Sequence, residues 1–156
     1  MRPPDQRSPR LLLETSVIVT YLAPRNPSNT AGRRLLELAA TGQVTLLWAP
    51  PTIDGVACKV AGNSDLRRSI DENLLRARLA VMRELSESLP AVDGPYPPIC
   101  RDSGDDDIIA HALAGSVDTV VTLDRDLLAL GDFDGLLSVK PGGAFALLRA
   151  EGFAGL

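Results

Sequence analysis

Two acidic segments constrain the fold of this chain more than any other feature. Residues 101–108 have the sequence Arg-Asp-Ser-Gly-Asp-Asp-Asp-Ile, and residues 122–128 have the sequence Thr-Leu-Asp-Arg-Asp-Leu-Leu. The apolar run 108–114 between them predicts a helix, and residues 119–123 predict a buried strand that ends on Asp124. Carboxylates that gather beside a strand end repel one another unless a cation binds among them. The pattern therefore indicates an acidic metal site at the carboxyl edge of an α/β sheet, where such sheets bind ligands.

Short apolar runs alternate with amphipathic segments along the rest of the chain. This alternation predicts an α/β fold, a three-layer α/β/α sandwich with a mostly parallel central sheet of about four or five strands. We expect strands at residues 11–13, 44–48, 119–123 and 136–139, and helices after Glu14 and at residues 30–41, 52–61, 127–130 and 142–150. The longest periodic segment, 65–89, predicts one long helix or a helical pair with a core stripe that comprises Leu66, Ile70, Leu74, Ala77, Val81 and Leu85.

The length and composition indicate one globular domain. The chain has 156 residues, of which 45% are hydrophobic and 23% charged, so it is long enough and apolar enough for a core of its own. We expect a flexible N-terminal extension at residues 1–10, the domain at 11–150 and a C-terminal tail at 151–156. No apolar run is long enough for a secretion signal or a membrane span, so no membrane association is expected.

Composition also limits the classes of function. Aromatic residues make up 4% of the chain, which argues against a surface that stacks single-stranded nucleic acid on aromatic rings. The net charge of −4 differs from that of most dedicated nucleic-acid binders, although bound metal would offset part of it. Cys58 and Cys100 fit neither a metal-ligand spacing nor a disulfide framework, and we interpret them as small buried residues of a cytoplasmic protein.

Several motifs in a fixed order resemble a PIN domain. They are the strand that leads into Glu14-Thr-Ser16, the Ala-Pro-Pro turn at 49–51, Cys-Arg-Asp-Ser-Gly-Asp at 100–105, Thr-Leu-Asp-Arg-Asp at 122–126 and Pro-Gly-Gly-Ala-Phe at 141–145. The resemblance extends over roughly residues 11–148, and it is greatest to the branch that comprises toxin components of toxin–antitoxin systems. It implies a metal-dependent endoribonuclease that uses Mg²⁺ or Mn²⁺, acts on RNA, is held by a small antitoxin protein and forms a homodimer through the helices at 30–41 and 65–89.

The resemblance also assigns roles to individual residues. Glu14, Asp105 and Asp124 stand at the first, third and fourth acidic positions of the family and are expected to be catalytic and to bind the metal. The second shell of the site is expected to contain Ser16, Asp102, Asp126 and Asp54.

Two positions depart from the family pattern. Glu14 stands where the family has Asp, and its extra methylene extends the carboxylate by about 1.5 Å. Gly55 stands where the family has Glu, and the neighbouring Asp54 points about 100° away on a helix. We therefore expect a weakened site, and we expect the helix itself to tolerate Gly55→Glu because glycine is a poor helix former.

These departures leave other interpretations open. The main alternative is a non-catalytic PIN-like module that binds RNA or a protein partner, whereas a phosphatase lacks the expected nucleophile motif. For Asp105, Asp106 and Asp107, and likewise for Asp124 and Asp126, helix capping is the structural alternative to metal binding. His111 is expected to be a solvated or hydrogen-bonded structural residue, and the arginines a solvated face, with Arg25, Arg67 and Arg68 the candidates for RNA contact.

Overall fold

The four predicted strands form the centre of a six-stranded sheet. The computed structural model describes residues 7–22, 31–62, 68 and 71–152. The strand order is β3-β2-β1-β4-β6-β5, and all neighbouring strands are parallel except the β5–β6 hairpin. The strands are β1 (Arg10–Leu13), β2 (Thr45–Trp48), β3 (Ser86–Ser88), β4 (Thr119–Val121), β5 (Asp132–Phe133) and β6 (Leu136–Val139). The predicted α/β sandwich is confirmed.

Helices cover both faces of the sheet. They are α1 (Thr15–Leu22), α2 (Ala31–Ala40), α3 (Pro50–Gly62), α4 (Glu72–Leu85), α5 (Asp106–Ala114), preceded by a 3₁₀ turn (Ser103–Asp105), α6 (Arg125–Leu128) and α7 (Pro141–Ala150). Because side chains alternate along a strand, Leu11 and Leu13 pack with α1, α2 and α7, whereas Leu12 packs on the opposite face with α5 and α6. Two apolar clusters therefore enclose the sheet between them.

The two edge strands were not predicted. The sheet has six strands and not the expected four or five. Strands β3 and β5 were missed because they lack the apolar run that identifies a buried strand. The predicted helix at 65–89 ends at Leu85, and the next three residues form β3, which pairs with β2. Residues 65–67, 69 and 70 of that prediction lie outside the described residues. The other predicted elements agree with the structure to within two residues at each end.

Helix α4 turns mostly a different side to the core from the predicted one, and of the predicted stripe Leu85 alone among the described residues packs against the core. Leu74 and Val81 are 47% and 42% exposed, and Ala77 is exposed as well. Met82 is buried instead, with Leu75 and Leu79 packed beside it, and the Arg78 guanidinium donates to the Leu22 carbonyl at 3.0 Å. The helix carries two apolar stripes, so periodicity alone did not show which of them is buried.

Three smaller predictions have clear outcomes. Strand β1 begins at Arg10, so the last residue of the expected flexible extension is structured; residues 1–6 and 153–156 lie outside the described residues. Cys58 is exposed rather than buried, because it lies on the solvent side of α3. His111 is structural and hydrogen-bonded, one of the two predicted alternatives, and it is buried rather than solvated: its Nε2 accepts the Val92 N–H at 3.0 Å, and its Nδ1 lies 2.6 Å from the Asp107 carbonyl oxygen. Among the described residues no helix is long and apolar enough to span a membrane.

Candidate metal centre

The acidic residues gather where the chain reverses its direction of progress through the sheet. From β1 the chain proceeds to β2 and β3 on one side, and it later returns to β4 on the other side of β1. Glu14 follows β1 directly, and Asp124 follows β4 after a two-residue interval. A crevice at the carboxyl ends of strands that diverge in this way is the usual ligand site of an open α/β sheet.

Three carboxylates meet in this crevice. One oxygen each from Asp102, Asp105 and Asp126 lies within 4.8 Å of the other two. Asp102 caps the 3₁₀ turn by accepting the Gly104 N–H at 2.9 Å, Asp105 ends that turn, and Asp126 lies in the first turn of α6. Because Mg²⁺ binds oxygen ligands at about 2.1 Å, ligands of one ion lie at most about 4.2 Å apart, so oxygens within 4.8 Å of one another are near enough to share an ion after a small shift.

Asp105 carries the clearest sign of an unbalanced charge. Its Oδ2 is buried and has no hydrogen-bond partner among the described residues. Burial raises the pKa of Asp105 to about 6, and the negative charges of Asp124, Asp102, Glu14 and Asp126 contribute in that order. A buried carboxylate oxygen with acidic neighbours is costly unless a cation balances the charge.

Glu14 is held tightly by hydroxyl and backbone donors. Its side chain is almost fully buried, at 7% exposure. Its Oε2 accepts three hydrogen bonds, from the Ser16 N–H at 3.0 Å, from the Ser16 hydroxyl and from the Thr122 hydroxyl at 3.0 Å. The first of these is the bond that a capping side chain makes to a helix start, here that of α1.

Asp124 caps a helix, which was the structural alternative to metal binding at this position. Its Oδ1 accepts the N–H groups of Asp126 at 2.8 Å and Leu127 at 3.3 Å, so Asp124 is the N-cap of α6. The Asp124 N–H in turn donates to the Thr122 hydroxyl at 3.0 Å. Asp124 thus stands beside the cluster with one oxygen committed to the helix, whereas Asp126 directs an oxygen toward Asp102 and Asp105.

Asp106, the residue after Asp105, has the opposite environment. Its side chain is 4% exposed, and its Oδ1 accepts the N–H groups of Cys100 at 2.6 Å and Ile99 at 3.0 Å. These hydrogen bonds, that of Cys100 first, hold the pKa of Asp106 below its usual value. Asp106 therefore anchors the loop before the 3₁₀ turn, a role that the run of three aspartates did not disclose. The capping alternative is not realised at Asp105, whose side chain makes no capping hydrogen bond.

The second acidic corner is filled by a helix contact. A Cβ atom at Gly55 would lie 3.0 Å from the Thr15 Oγ1 and 3.5 Å from its Cγ2, so α3 packs closely on α1 at this point. The expectation that Gly55→Glu is tolerated considered helix propensity alone, and it stays a prediction that also requires the Thr15 side chain to move by a few tenths of an ångström. Asp54 is exposed and is not among the residues that the structure brings together.

The predicted residues thus separate into groups. Asp105 meets Asp102 and Asp126, while Glu14 and Asp124 lie close enough to raise the pKa of Asp105. Ser16 donates both its backbone N–H and its hydroxyl to Glu14. Sequence analysis missed Thr122 as a contact of Glu14, although a polar residue at the end of a buried strand was a signal for it.

Comparison with known proteins agrees with this arrangement. A family model described as a PIN domain matches residues 10–126. The chain belongs to the PIN-domain family. PIN domains are generally nucleases that bind RNA and depend on divalent metal ions. The crystal structure of PAE2754 from Pyrobaculum aerophilum superposes with a TM-score of 0.52 at 15% sequence identity, over 91% of this chain and 96% of that chain, and it supports the fold alone. No curated protein matches the chain.

The donor set of this PIN domain fits a divalent cation. All three converging ligand atoms are carboxylate oxygens, which Mg²⁺ and Mn²⁺ prefer. The buried Oδ2 of Asp105, which has no hydrogen-bond partner in the described part of the chain, is an atom whose environment a cation would improve.

Proposed function

We propose that this PIN domain is a metal-dependent endoribonuclease and the toxin of a toxin–antitoxin pair. The observation that carries the proposal is the buried Oδ2 of Asp105, which has no partner among the described residues and belongs to a residue surrounded by four other carboxylates. Such an arrangement is costly in a folded domain unless it binds a cation. Mg²⁺ or Mn²⁺ suits the oxygen ligands, and a cytoplasmic location agrees with the two unpaired cysteines.

The carboxylates would divide the work among them. Asp105 would hold the metal at the centre, with Asp102 and Asp126 beside it, and Asp124 would border the site through the oxygen that does not cap α6. Asp105 is mostly ionised above pH 6, which prepares it to bind a cation at neutral pH. When bound, the metal supplies an activated water and stabilises the charge that develops on the phosphate.

The crevice also has a source of positive charge for RNA. Arg101 and Arg125 are exposed, and they lie next to Asp102 and between Asp124 and Asp126 in the sequence. Neither forms an ion pair within the part of the chain that the structure describes. We propose that both contact phosphates of the RNA substrate, which would offset locally the net charge of −4.

A ribonuclease assay tests the proposal. Purified protein should cleave single-stranded RNA in the presence of Mn²⁺ and lose that activity in EDTA. Asp105→Asn should abolish cleavage while the variant stays folded by circular dichroism. Asp132→Asn is the matched control, because Asp132 is exposed and its side chain bonds only the Gly135 N–H among the described residues. Equal activity of wild type and Asp105→Asn would show that a contaminant, not this site, cleaves the RNA.

A non-catalytic PIN-like module is the second candidate. The observation that favours it is the missing side chain at Gly55, together with an Oε2 of Glu14 that already accepts three hydrogen bonds. This candidate predicts RNA binding without cleavage, and no heat of Mn²⁺ binding in calorimetry at millimolar metal.

The exposed stripe of α4 is our candidate for the antitoxin and homodimer contact. Leu74, Ala77 and Val81 form this stripe on a helix whose remaining exposed surface is largely polar. Replacing Leu74 and Val81 together by Glu should convert a dimer to a monomer in size-exclusion chromatography with light scattering. Arg83→Glu, an exposed change off the stripe, is the control. A wild-type protein that remains monomeric at high concentration would remove the homodimer from the proposal.

A further inference from the structure

We infer that Glu14 is a positioning residue and not a metal ligand: it holds the segment that carries Asp124 and Asp126 against the end of β1. The inference rests on the proposed function, because it concerns the same acidic centre. It reassigns the first acidic position, which the resemblance to PIN domains gives to the metal.

Two hydroxyl groups connect Glu14 to the segment after β4. The Ser16 hydroxyl donates to the Glu14 Oε2 and accepts the Leu123 N–H at 3.0 Å. The Thr122 hydroxyl donates to the same oxygen at 3.0 Å and accepts the Asp124 N–H at 3.0 Å. Each hydroxyl therefore has one donor and one acceptor partner, and both chains of hydrogen bonds end on consecutive backbone amides of one segment.

That segment sets the position of the acidic cluster. Asp124 caps α6, and the capped N–H groups belong to Asp126 and Leu127. A shift of Asp124 would therefore move the first turn of α6 and with it the Asp126 carboxylate, which approaches Asp102 and Asp105. The backbone adds a further tie, because the Glu14 N–H donates to the Val121 carbonyl at 3.0 Å.

The hydrogen bonds of Glu14 leave its Oε2 little capacity to bind a metal, and Glu14 is not in the group of carboxylates whose oxygens meet within 4.8 Å. A carboxylate oxygen offers about two lone pairs, and the Oε2 of Glu14 already accepts three hydrogen bonds. A cation on that oxygen would have to displace at least one of them. The Asp105 Oδ2 is buried too, but it has no such partner among the described residues. The extra methylene of Glu14, about 1.5 Å of reach, is what brings its carboxylate to both hydroxyls.

The first arm of the test is metal-free and measures amide hydrogen exchange. Thr122→Val keeps the shape of this buried side chain and removes its hydroxyl, and Thr122→Ser keeps the hydroxyl as the matched control. The inference predicts that Thr122→Val and Glu14→Gln each reduce protection of the Asp124, Asp126 and Leu127 amides by about tenfold. Thr122→Ser should leave these amides close to wild type. Unchanged protection in both test variants would overturn the inference.

The second arm measures Mn²⁺ affinity by calorimetry. Loss of a residue that orients ligands weakens metal binding by about 10- to 100-fold, and loss of a central ligand weakens it further. Glu14→Gln and Thr122→Val should each cost about tenfold, and the double variant should cost no more than the larger single effect, since both act through one network. Asp105→Asn should remove measurable binding. Thr122→Ser should restore the wild-type affinity.

The outcomes separate the inference from the proposed function. If Glu14→Gln loses binding as completely as Asp105→Asn, Glu14 is a ligand and the inference is overturned. If Thr122→Val lowers protection but leaves Mn²⁺ affinity unchanged, the network is merely structural and the inference is likewise overturned. If wild-type protein binds no Mn²⁺ at millimolar concentration, the proposed function fails, and the hydrogen-exchange arm alone then decides whether Glu14 positions the segment.

Discussion

The carboxylates at the two edges of the sheet have opposite environments. At the amino edge, Asp118 accepts the Arg7 guanidinium at 2.7 Å through one oxygen and the Arg10 N–H at 2.8 Å through the other. At the carboxyl edge, Glu14, Asp102, Asp105, Asp124 and Asp126 approach one another, and none forms an ion pair with an Arg or Lys among the described residues.

The two edges differ in whether each carboxylate oxygen has a hydrogen-bond donor, and this matters more than the number of acidic residues. Asp118 sits where β4 begins, and its two oxygens are each matched to a donor. Asp105 has an oxygen that is buried without a match among the described residues, and its pKa rises to about 6. At the amino edge, the protein itself supplies a donor to each oxygen of Asp118. At the carboxyl edge, a bound cation would balance the negative charge of the acidic residues.

The strongest test of this comparison replaces one acid at each edge. Asp105→Asn should weaken Mn²⁺ binding by about 100-fold or more, equivalent to about 2.7 kcal/mol, because it removes the central charge of the cluster. Asp118→Asn should change the Mn²⁺ affinity by less than about twofold, since Asp118 lies at the opposite edge. Calorimetry of both variants at pH 7.5 makes the measurement. Equal losses in the two variants would show that the metal responds to overall charge and not to the site.

The next largest effect concerns Asp106, a carboxylate near the acidic edge that has partners. Asp106→Ala should destabilise the fold by about 2 kcal/mol in urea denaturation, because it leaves the Ile99 and Cys100 N–H groups without their acceptor. Asp106→Asn keeps an acceptor oxygen and should cost clearly less. A neutral effect of the alanine variant would contradict the claim that partners, and not location, decide how a carboxylate behaves here.

A smaller effect is expected in the pH dependence of the metal-free protein. The pKa of Asp105 is raised from 3.8 to about 6 in the folded state, so folding favours the protonated form. The contribution of this group to stability is full below pH 3.8 and is lost as pH rises through 6. Asp105→Asn should therefore stabilise metal-free protein at pH 7.5 by about 1 kcal/mol after allowance for solvent screening, and by much less at pH 4. Thermal denaturation in EDTA at both pH values tests the sign; a variant less stable than wild type at pH 7.5 would refute it.

The smallest expected effect is at the amino edge itself. The Arg7 and Asp118 side chains are 59% and 40% exposed, so their ion pair is largely screened by solvent. Arg7→Ala should cost at most about 0.5 kcal/mol in urea denaturation, and 0.5 M salt should reduce the difference further. A cost above about 1.5 kcal/mol would show that the ion pair anchors the start of β1 more firmly than its exposure indicates.

The sequence predicted the centre of the fold better than its edges. Central strands such as β1 and β4 are largely apolar runs, because both of their faces are buried. This pattern can be read from the strand's own sequence, without knowing which strands pair with it. Strand β3, with the sequence Ser-Glu-Ser, owes its conformation to pairing with β2, which no local pattern records. The face of α4 was unpredictable for a similar reason, since its two apolar stripes differ only in what packs against them.

At the candidate site, the sequence predicted which segments converge but not how neighbouring acids divide their roles. Asp105 and Asp106 are chemically identical and adjacent. Asp105 nevertheless has a buried oxygen that lacks a partner among the described residues, whereas Asp106 accepts two backbone N–H groups. The distinction arises from the path of residues 99–102, which brings the N–H groups of Ile99 and Cys100 to Asp106 alone. The resemblance to PIN domains pointed to Asp105 and Asp124. The hydrogen-bond partners of Glu14 and Asp124 depend on how the segments pack, so the sequence did not predict them.

The close approach of Gly55 to Thr15 means that substitutions at these two positions depend on the order in which they occur. A glutamate at position 55 would add a carboxylate at this corner of the site, but its Cβ would crowd the Thr15 Oγ1 at 3.0 Å. Thr15→Ala removes both atoms nearest to that Cβ. A route that shortens Thr15 first therefore avoids this contact, whereas the reverse order requires the Thr15 side chain to move by a few tenths of an ångström. A glutamate at the second acidic position therefore depends on Thr15, a residue that need not contact the metal.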